Sequence, residues 1–349
     1  MGRCLIRQCV ESNYILCFDK DEGTFIREGM DGKSPFWNVK GPELLDISIT
    51  NYCERECEFC YRASNKEGKH ISLDDYEKII SQAKDIGVLQ IALGGGNPNQ
   101  HPQFEEILKI TRQYDIIPSY TTNGQGMTDS IYQATKNYCG AIAVSLYDSY
   151  DEVENVIDYC NEYGIKVNIH FMLNNNTIKE AIDFLENKKA ILKKINAVVF
   201  LNYKPIHTSK EISLNASPEI IELLNFIRKV KECKIGFDSC MISYLTLIEK
   251  DILLETMEYC EAARFSAFIS EDLMLYPCSF YNDTAIEGID LSKHSLQYGW
   301  QEGNEFKSVR EKLMLPGIQN YPISKCNSCD YYEICHGGCP VFDINMCRG

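Results

Sequence analysis

From residue 44 to residue 232 the sequence alternates six times between a short apolar run and a longer stretch of helical period. Strand patterns fall at 44–50, 88–93, 116–121, 141–146, 165–172 and 197–202. Helical patterns fall at about 72–86, 102–114, 128–138, 150–163, 177–193 and 217–232. Ser72 before Leu73-Asp74-Asp75 is a helix start, and Ser217-Pro218-Glu219 puts proline at the first helical position. Six βα units in a row imply a parallel sheet with right-handed crossovers. Six is short of the eight that close a barrel, so the expected fold is α/β, a partial (β/α)6 TIM-like barrel. Function in such sheets sits at the C-terminal strand ends.

Residues 1–40 hold two alternating stretches, Asn13–Phe18 and Thr24–Arg27, around Asp19-Lys20-Asp21-Glu22-Gly23, which is a β-hairpin pattern. After about 235 the alternation stops, and cysteines, aromatics and loops dominate. The expected division is an N-terminal β-hairpin-like segment at 1–40, the partial barrel at 41–235 and a Cys-rich domain at 236–349. No apolar run approaches a membrane span, and Met1–Cys9 lacks a secretory h-region, so a cytoplasmic protein without membrane contact is expected. A net charge of −15 leaves phosphate repulsion uncompensated and argues against nucleic acid. It leaves room for a basic peptide or a small substrate, and also suits plain solubility.

Seventeen cysteines in a reducing compartment, clustered at short spacings, point to metal ligands rather than disulfides. Cys53, Cys57 and Cys60 form C-x3-C-x2-C directly after the first strand. Three thiolates on one loop can hold three irons of a [4Fe–4S] cube, leaving the fourth iron open to bind and break a small molecule. The alternative is a zinc knuckle, but zinc wants four ligands and only His70 lies near. The second strand ends in Gly94-Gly95-Gly96-Asn97-Pro98, where glycines let the backbone approach a ligand.

The cysteine spacing, Phe59 before the last cysteine and the Gly-Gly-Gly-Asn-Pro turn resemble the radical S-adenosylmethionine (SAM) superfamily. The resemblance implies that Cys53, Cys57 and Cys60 hold a cluster whose open iron chelates SAM and, once reduced, cleaves it to methionine and a 5′-deoxyadenosyl radical. It implies that Gly94, Gly95, Gly96 and Asn97 meet the methionine amino group, with Asn97 standing where the family more often has Glu. Ser145, at the end of the fourth strand, matches a polar position that touches SAM in relatives. Asn123 after the third strand and Asn168 on the fifth are expected to face the same mouth.

The distal set Cys260, Cys278, Cys326-x2-Cys329-x5-Cys335-x3-Cys339 and Cys347 resembles the SPASM extension of radical SAM enzymes. The resemblance implies two auxiliary [4Fe–4S] clusters, three in all. Cys326, Cys329, Cys335 and Cys347 would hold one, and Cys260, Cys278 and Cys339 would contribute to the other; a pair of zinc sites is the rival reading. Sulfatase-maturing relatives complete the second set with a cysteine where this chain has Ser266, so either one iron stays open or Cys240 fills the gap. They also carry an Asp base where this chain has Ser279, and a hydroxyl cannot do that work unaided, which disfavours formylglycine formation. Lys204 and His207 follow the sixth strand and are expected at the substrate mouth. The expected activity is oxidative modification of a peptide or protein: a thioether, a carbon–carbon crosslink, an epimer or an oxidised residue. A separate recognition protein and an electron donor such as flavodoxin or ferredoxin would assist. The alternatives are a radical SAM oxidoreductase acting on a small molecule or tetrapyrrole, and an iron–sulfur electron carrier or zinc scaffold without SAM cleavage.

Overall fold

The computed structural model describes residues 4–147, 149–206, 212–215, 217–247, 258–282, 284, 286–314, 326, 329–342 and 344–345. Along the chain the strands are β1 (Cys4–Cys9), β2 (Tyr14–Asp19), β3 (Thr24–Gly29), β4 (Leu44–Thr50), β5 (Gln90–Gly95), β6 (Ile117–Thr122), β7 (Ile142–Leu146), β8 (Val167–Leu173), β9 (Ala197–Asn202), β10 (Lys234–Phe237), β11 (Ser266–Ile269), β12 (Met274–Tyr276) and β13 (Ile289–Asp290). The helices between the βα strands are α1 (Leu73–Ile86), α2 (Phe104–Gln113), α3 (Asp129–Tyr138), α4 (Tyr150–Tyr163), α5 (Ile178–Asn187), α6 (Lys189–Leu192) and α7 (Pro218–Ile227). Ser72 and Ser217 accept from the backbone N–H groups of Asp75 and Ile220, capping α1 and α7 as the sequence suggests. The single helix expected at 177–193 breaks at Lys188 into α5 and α6.

The chain divides into two compact units that do not follow its linear order. The first comprises residues up to Ile142, Tyr163–Ile165 and Ala262–Ser308. In it, β6, β5, β4 and β11 run parallel and side by side, and β12 and β13 continue the sheet antiparallel. Thus a strand from the Cys-rich region, β11, pairs directly with β4, Ser266 opposite Leu44. The N-terminal segment is a three-stranded meander, β1-β2-β3, rather than a hairpin. Its inner face, Tyr14, Leu16 and Phe18, is buried against Leu89, Ile117 and Phe265. β1 was hard to see because Arg and two cysteines interrupt its alternation, Cys-Leu-Ile-Arg-Gln-Cys.

The second unit comprises Ala143–Glu162, Lys166–Glu261 and Val309 onward. Here β7, β8, β9 and β10 lie in chain order, with β8, β9 and β10 parallel. β8 alternates buried and half-buried residues along its length, burying Val167, Ile169, Phe171 and Leu173 on one face. β10 is a strand beyond the six expected; it is four residues long, with only Ile235 and Phe237 apolar.

Candidate functional site

The three-cysteine loop leaves the C-terminal end of β4 and is fastened at both ends. Asn51 N–H donates to Lys69 O at 2.8 Å and Cys53 N–H to Asn65 O at 3.0 Å. Within it, Cys60 N–H meets Cys57 O and Ala63 N–H meets Cys60 O, each at 3.0 Å, while Glu56 and Ala63 turn through left-handed backbone. All three thiols are half-buried. Burial pushes the Cys57 thiol up, against the pull of Arg55, so a bare thiolate is disfavoured there and a bound cation would supply the compensation. Among the described residues, no three Cys, His, Asp or Glu side chains converge as a single metal ion requires. A cubane instead takes its thiolates at separate corners rather than around one ion.

Beside the loop lies a buried ion pair that the sequence did not flag. Arg62, its side chain 2% exposed, donates to Glu271 Oε1 at 3.0 Å and Oε2 at 2.8 Å, and Ser48 Oγ donates to Oε2 at 2.6 Å. Glu271 stands in the turn between β11 and β12, so one guanidinium nitrogen shared between both carboxylate oxygens ties the residue two after Cys60 to the Cys-rich region. In that turn Leu273 adopts the left-handed conformation, φ 64°, that glycine would favour.

The glycine turn at the end of β5 is stitched to the same loop. Gly96 N–H donates to Thr50 O at 2.7 Å and Asn97 N–H to Tyr52 O at 2.9 Å. A Cβ on Gly96 would stand 2.1 Å from Tyr52 O; one on Gly95, at φ +107°, would stand 2.1 Å from Thr50 O and 2.2 Å from Ser48 Oγ. A Cβ on Gly94 would meet nothing within 4 Å. The turn is therefore closed on the loop side and open at Gly94, a cradle that suits a ligand's polar head.

Asn97 is used differently from the expectation. It is 1% exposed; its Oδ1 accepts from Thr122 Oγ1 and Asn123 N–H, each at 3.1 Å, and its Nδ2 donates to Gln125 O at 2.9 Å. With both ends of the amide engaged, Asn97 clamps the β5 turn to the end of β6. Asn123 is the residue that reaches the cysteines: its Nδ2 lies 3.5 Å from Cys53 Sγ. Phe59 is half-buried in the loop. Ser279, after Cys278, donates to the Tyr61 hydroxyl, and Phe280 packs on Tyr61 with ring centroids 4.7 Å apart. Ser266 opens β11.

In the second unit, Ser145 is half-buried one residue before the end of β7. Asn168 requires a correction. It is the second residue of β8, opposite Ala197 at the start of β9, and Asn196 Nδ2 holds its Oδ1 at 2.8 Å. It therefore sits at the N-terminal strand end, opposite to the catalytic end of such sheets. Lys204 is likewise corrected. Its side chain is 4% exposed and ion-paired with Asp238 rather than facing a mouth. Burial works against its charge, but Asp238 and the Cys240 and Cys339 thiols overcome this and keep Lys204 above its ordinary value. His207 and Cys347 lie outside the described residues.

The distal cysteines show partial convergence. The Cys240 thiol hydrogen-bonds that of Cys339, and this contact with burial pushes Cys240 well up. Cys339 is buried, its backbone held by Asn345 at 2.7 and 3.1 Å, after three left-handed residues, His336, Gly337 and Gly338. The His336 ring stacks on Tyr259 at 3.8 Å, bringing the residue before Cys260 onto the residue after Cys335. Cys329 N–H meets Cys326 O at 3.2 Å, and Cys260 and Cys326 are buried.

Comparison with known proteins assigns a class to this arrangement. Residues 47–187 match the radical SAM superfamily. The mycofactocin maturase MftC of Mycobacterium tuberculosis is 21% identical over 324 residues, covering 86% of this chain and 79% of the relative. A GTP 3′,8-cyclase of Clostridium perfringens is 25% identical over 214 residues, 54% of this chain and 64% of the relative. Streptococcus suis SuiB bound to its precursor peptide SuiA superposes with a TM-score of 0.70 at 22% identity, over 86% of this chain and 72% of SuiB. Residues 47–187 thus carry a radical SAM domain, a family that implies a [4Fe–4S] cluster and a SAM site, and the chain has the α/β partial-barrel fold of its solved neighbours. Among the described residues no helix is long and apolar enough to cross a membrane.

Proposed function

We propose that the chain cleaves SAM reductively and uses the product radical to modify a peptide or protein oxidatively. The observation that carries this is the β5 turn, locked to the cysteine loop at Gly95 and Gly96 and open only at Gly94. Cys53, Cys57 and Cys60 would hold the cluster, and bound there it supplies the electron that splits SAM into methionine and a 5′-deoxyadenosyl radical. Gly94 would receive the methionine head, Asn97 fixes the turn, and Asn123 hydrogen-bonds the Cys53 sulfur. Anaerobically reconstituted, reduced protein should release 5′-deoxyadenosine from SAM, and Cys53→Ala should abolish it; no release from the wild type would leave the carrier or scaffold reading.

Two auxiliary clusters belong to the proposal, one on Cys326, Cys329, Cys335 and Cys347, the other on Cys240, Cys260, Cys278 and Cys339. The Cys240–Cys339 thiol contact supports Cys240 as the ligand that fills the gap left by Ser266. A peptide substrate is supported by the maturase relative and by SuiB with its precursor peptide, and the acidic chain suits a basic segment. Ser279, already donating to Tyr61, supports products other than formylglycine. A flavodoxin or ferredoxin would supply electrons, a separate protein would present the peptide, and the reaction would run in the cytoplasm. The GTP 3′,8-cyclase relative favours a second reading, a small-molecule substrate. Co-expression with a short peptide encoded beside this chain separates the two. A shifted peptide mass supports maturation, and an unchanged mass favours the small molecule.

A further inference from the structure

Lys204 lies two residues after β9 and is buried within a small polar group that SAM cleavage leaves unused. Asp238 pairs with its ammonium, and Asp238 Oδ2 also accepts from Asn202 N–H at 3.2 Å. Asn202 Nδ2 in turn donates to Cys240 O at 3.2 Å, and Cys240 meets Cys339 through their thiols. Asp238 Oδ1 is buried without a hydrogen-bond partner among the described residues, so Lys204 is the main compensation for that carboxylate. A lysine–aspartate pair desolvated this far repays its burial poorly by itself. The thiols beside it change the balance, because a [4Fe–4S] centre on four thiolates is anionic and gains a further negative charge on reduction.

We propose that Lys204 is a positioning charge that raises the reduction potential of the cluster held by Cys240 and Cys339, with Asp238 acting in the opposite sense. This rests on the assignment of those two cysteines as ligands made above. Removing the ammonium leaves the carboxylate facing the cluster, and at a few ångströms in a protein interior one charge changes the reduction equilibrium by about tenfold or more. For one electron, tenfold is 59 mV.

The test is an EPR-monitored potentiometric titration of the full, anaerobically reconstituted chain. Lys204→Met should move one cluster's midpoint negative by about 59 mV or more and leave the others unchanged. Asp238→Asn should move the same midpoint positive. Lys204→Arg, which keeps the charge, should retain the wild-type midpoint and iron content even where the Met variant loads iron poorly. Shifts of the same sign, no shift, or an Arg variant displaced like the Met variant would overturn the proposal. Iron content of Cys240→Ala tests the ligand assignment separately: undiminished iron with intact signals removes Cys240 as a ligand, whatever Lys204 does.

Discussion

Gly94, Gly95 and Gly96 are neighbours in sequence, yet each is glycine for its own reason. Gly96→Ala drives a Cβ into Tyr52 O, and Gly95→Ala adds a backbone conformation that alanine resists. Both should displace the cysteine loop, read as less than half the wild-type iron at that cluster after reconstitution. Gly94→Ala should instead fold and load iron normally while weakening SAM binding by about tenfold, measured by equilibrium binding, because its methyl enters only open space. Asn97→Ala strands buried partners on three sides and should cost roughly 1–3 kcal/mol of stability by denaturant titration. The glycines and cysteines were legible because their chemistry is local. The clamp made by Asn97 was not, since Thr122, Asn123 and Gln125 come to it through the fold. Asn168 misled because alternation along a strand shows the face a residue shares and not its distance from the strand end.

Elements were read well where a long periodic segment carried them and poorly where they were short. All six βα strands lie where the apolar runs put them, whereas β10, β11, β12 and β13 have four residues or fewer and too little pattern to show. Those short elements matter, since the β11–β12 turn supplies Glu271 to Arg62. Arg62→Met would leave the carboxylate buried and unpaired and should cost about 3–5 kcal/mol, with Glu271→Gln in the same chain recovering much of it in a double-mutant cycle. β8 carries a second dependence. Burial holds the His170 imidazole down to about 4, below its ordinary 6.5 or so. Between those values the unfolded chain binds a proton that the folded chain refuses, so stability falls as pH drops from about 6.5 toward 4. The loss should reach about 2 kcal/mol between pH 7 and pH 5 and be absent from His170→Gln, compared by denaturant titration at both pH values.

At the scale of the whole molecule the cysteines set an iron inventory. With the two auxiliary clusters proposed above, the chain would hold about twelve irons, and replacing Cys53, Cys57 and Cys60 together should leave about eight, counted by iron analysis. The cysteine groups at the two ends of the sequence were visible as soon as they were counted, but their dependence on one another was not. The linear sequence suggests a barrel that ends near 235 and a domain that follows it. In the fold, residues 262–308 belong with the first unit, and β4 is flanked by β5 on one side and β11 on the other. A chain stopped at residue 235 should therefore go into the insoluble fraction on expression, because β4 would present a bare, apolar strand edge. The same pairing fixes a schedule during synthesis. As the chain leaves the ribosome, β4 and its three cysteines emerge well before Ser266, the partner of Leu44. Until then the strand that bears the loop has no neighbour on that side and Arg62 has no Glu271, so the loop cannot reach its final setting before residues 266–271 are made.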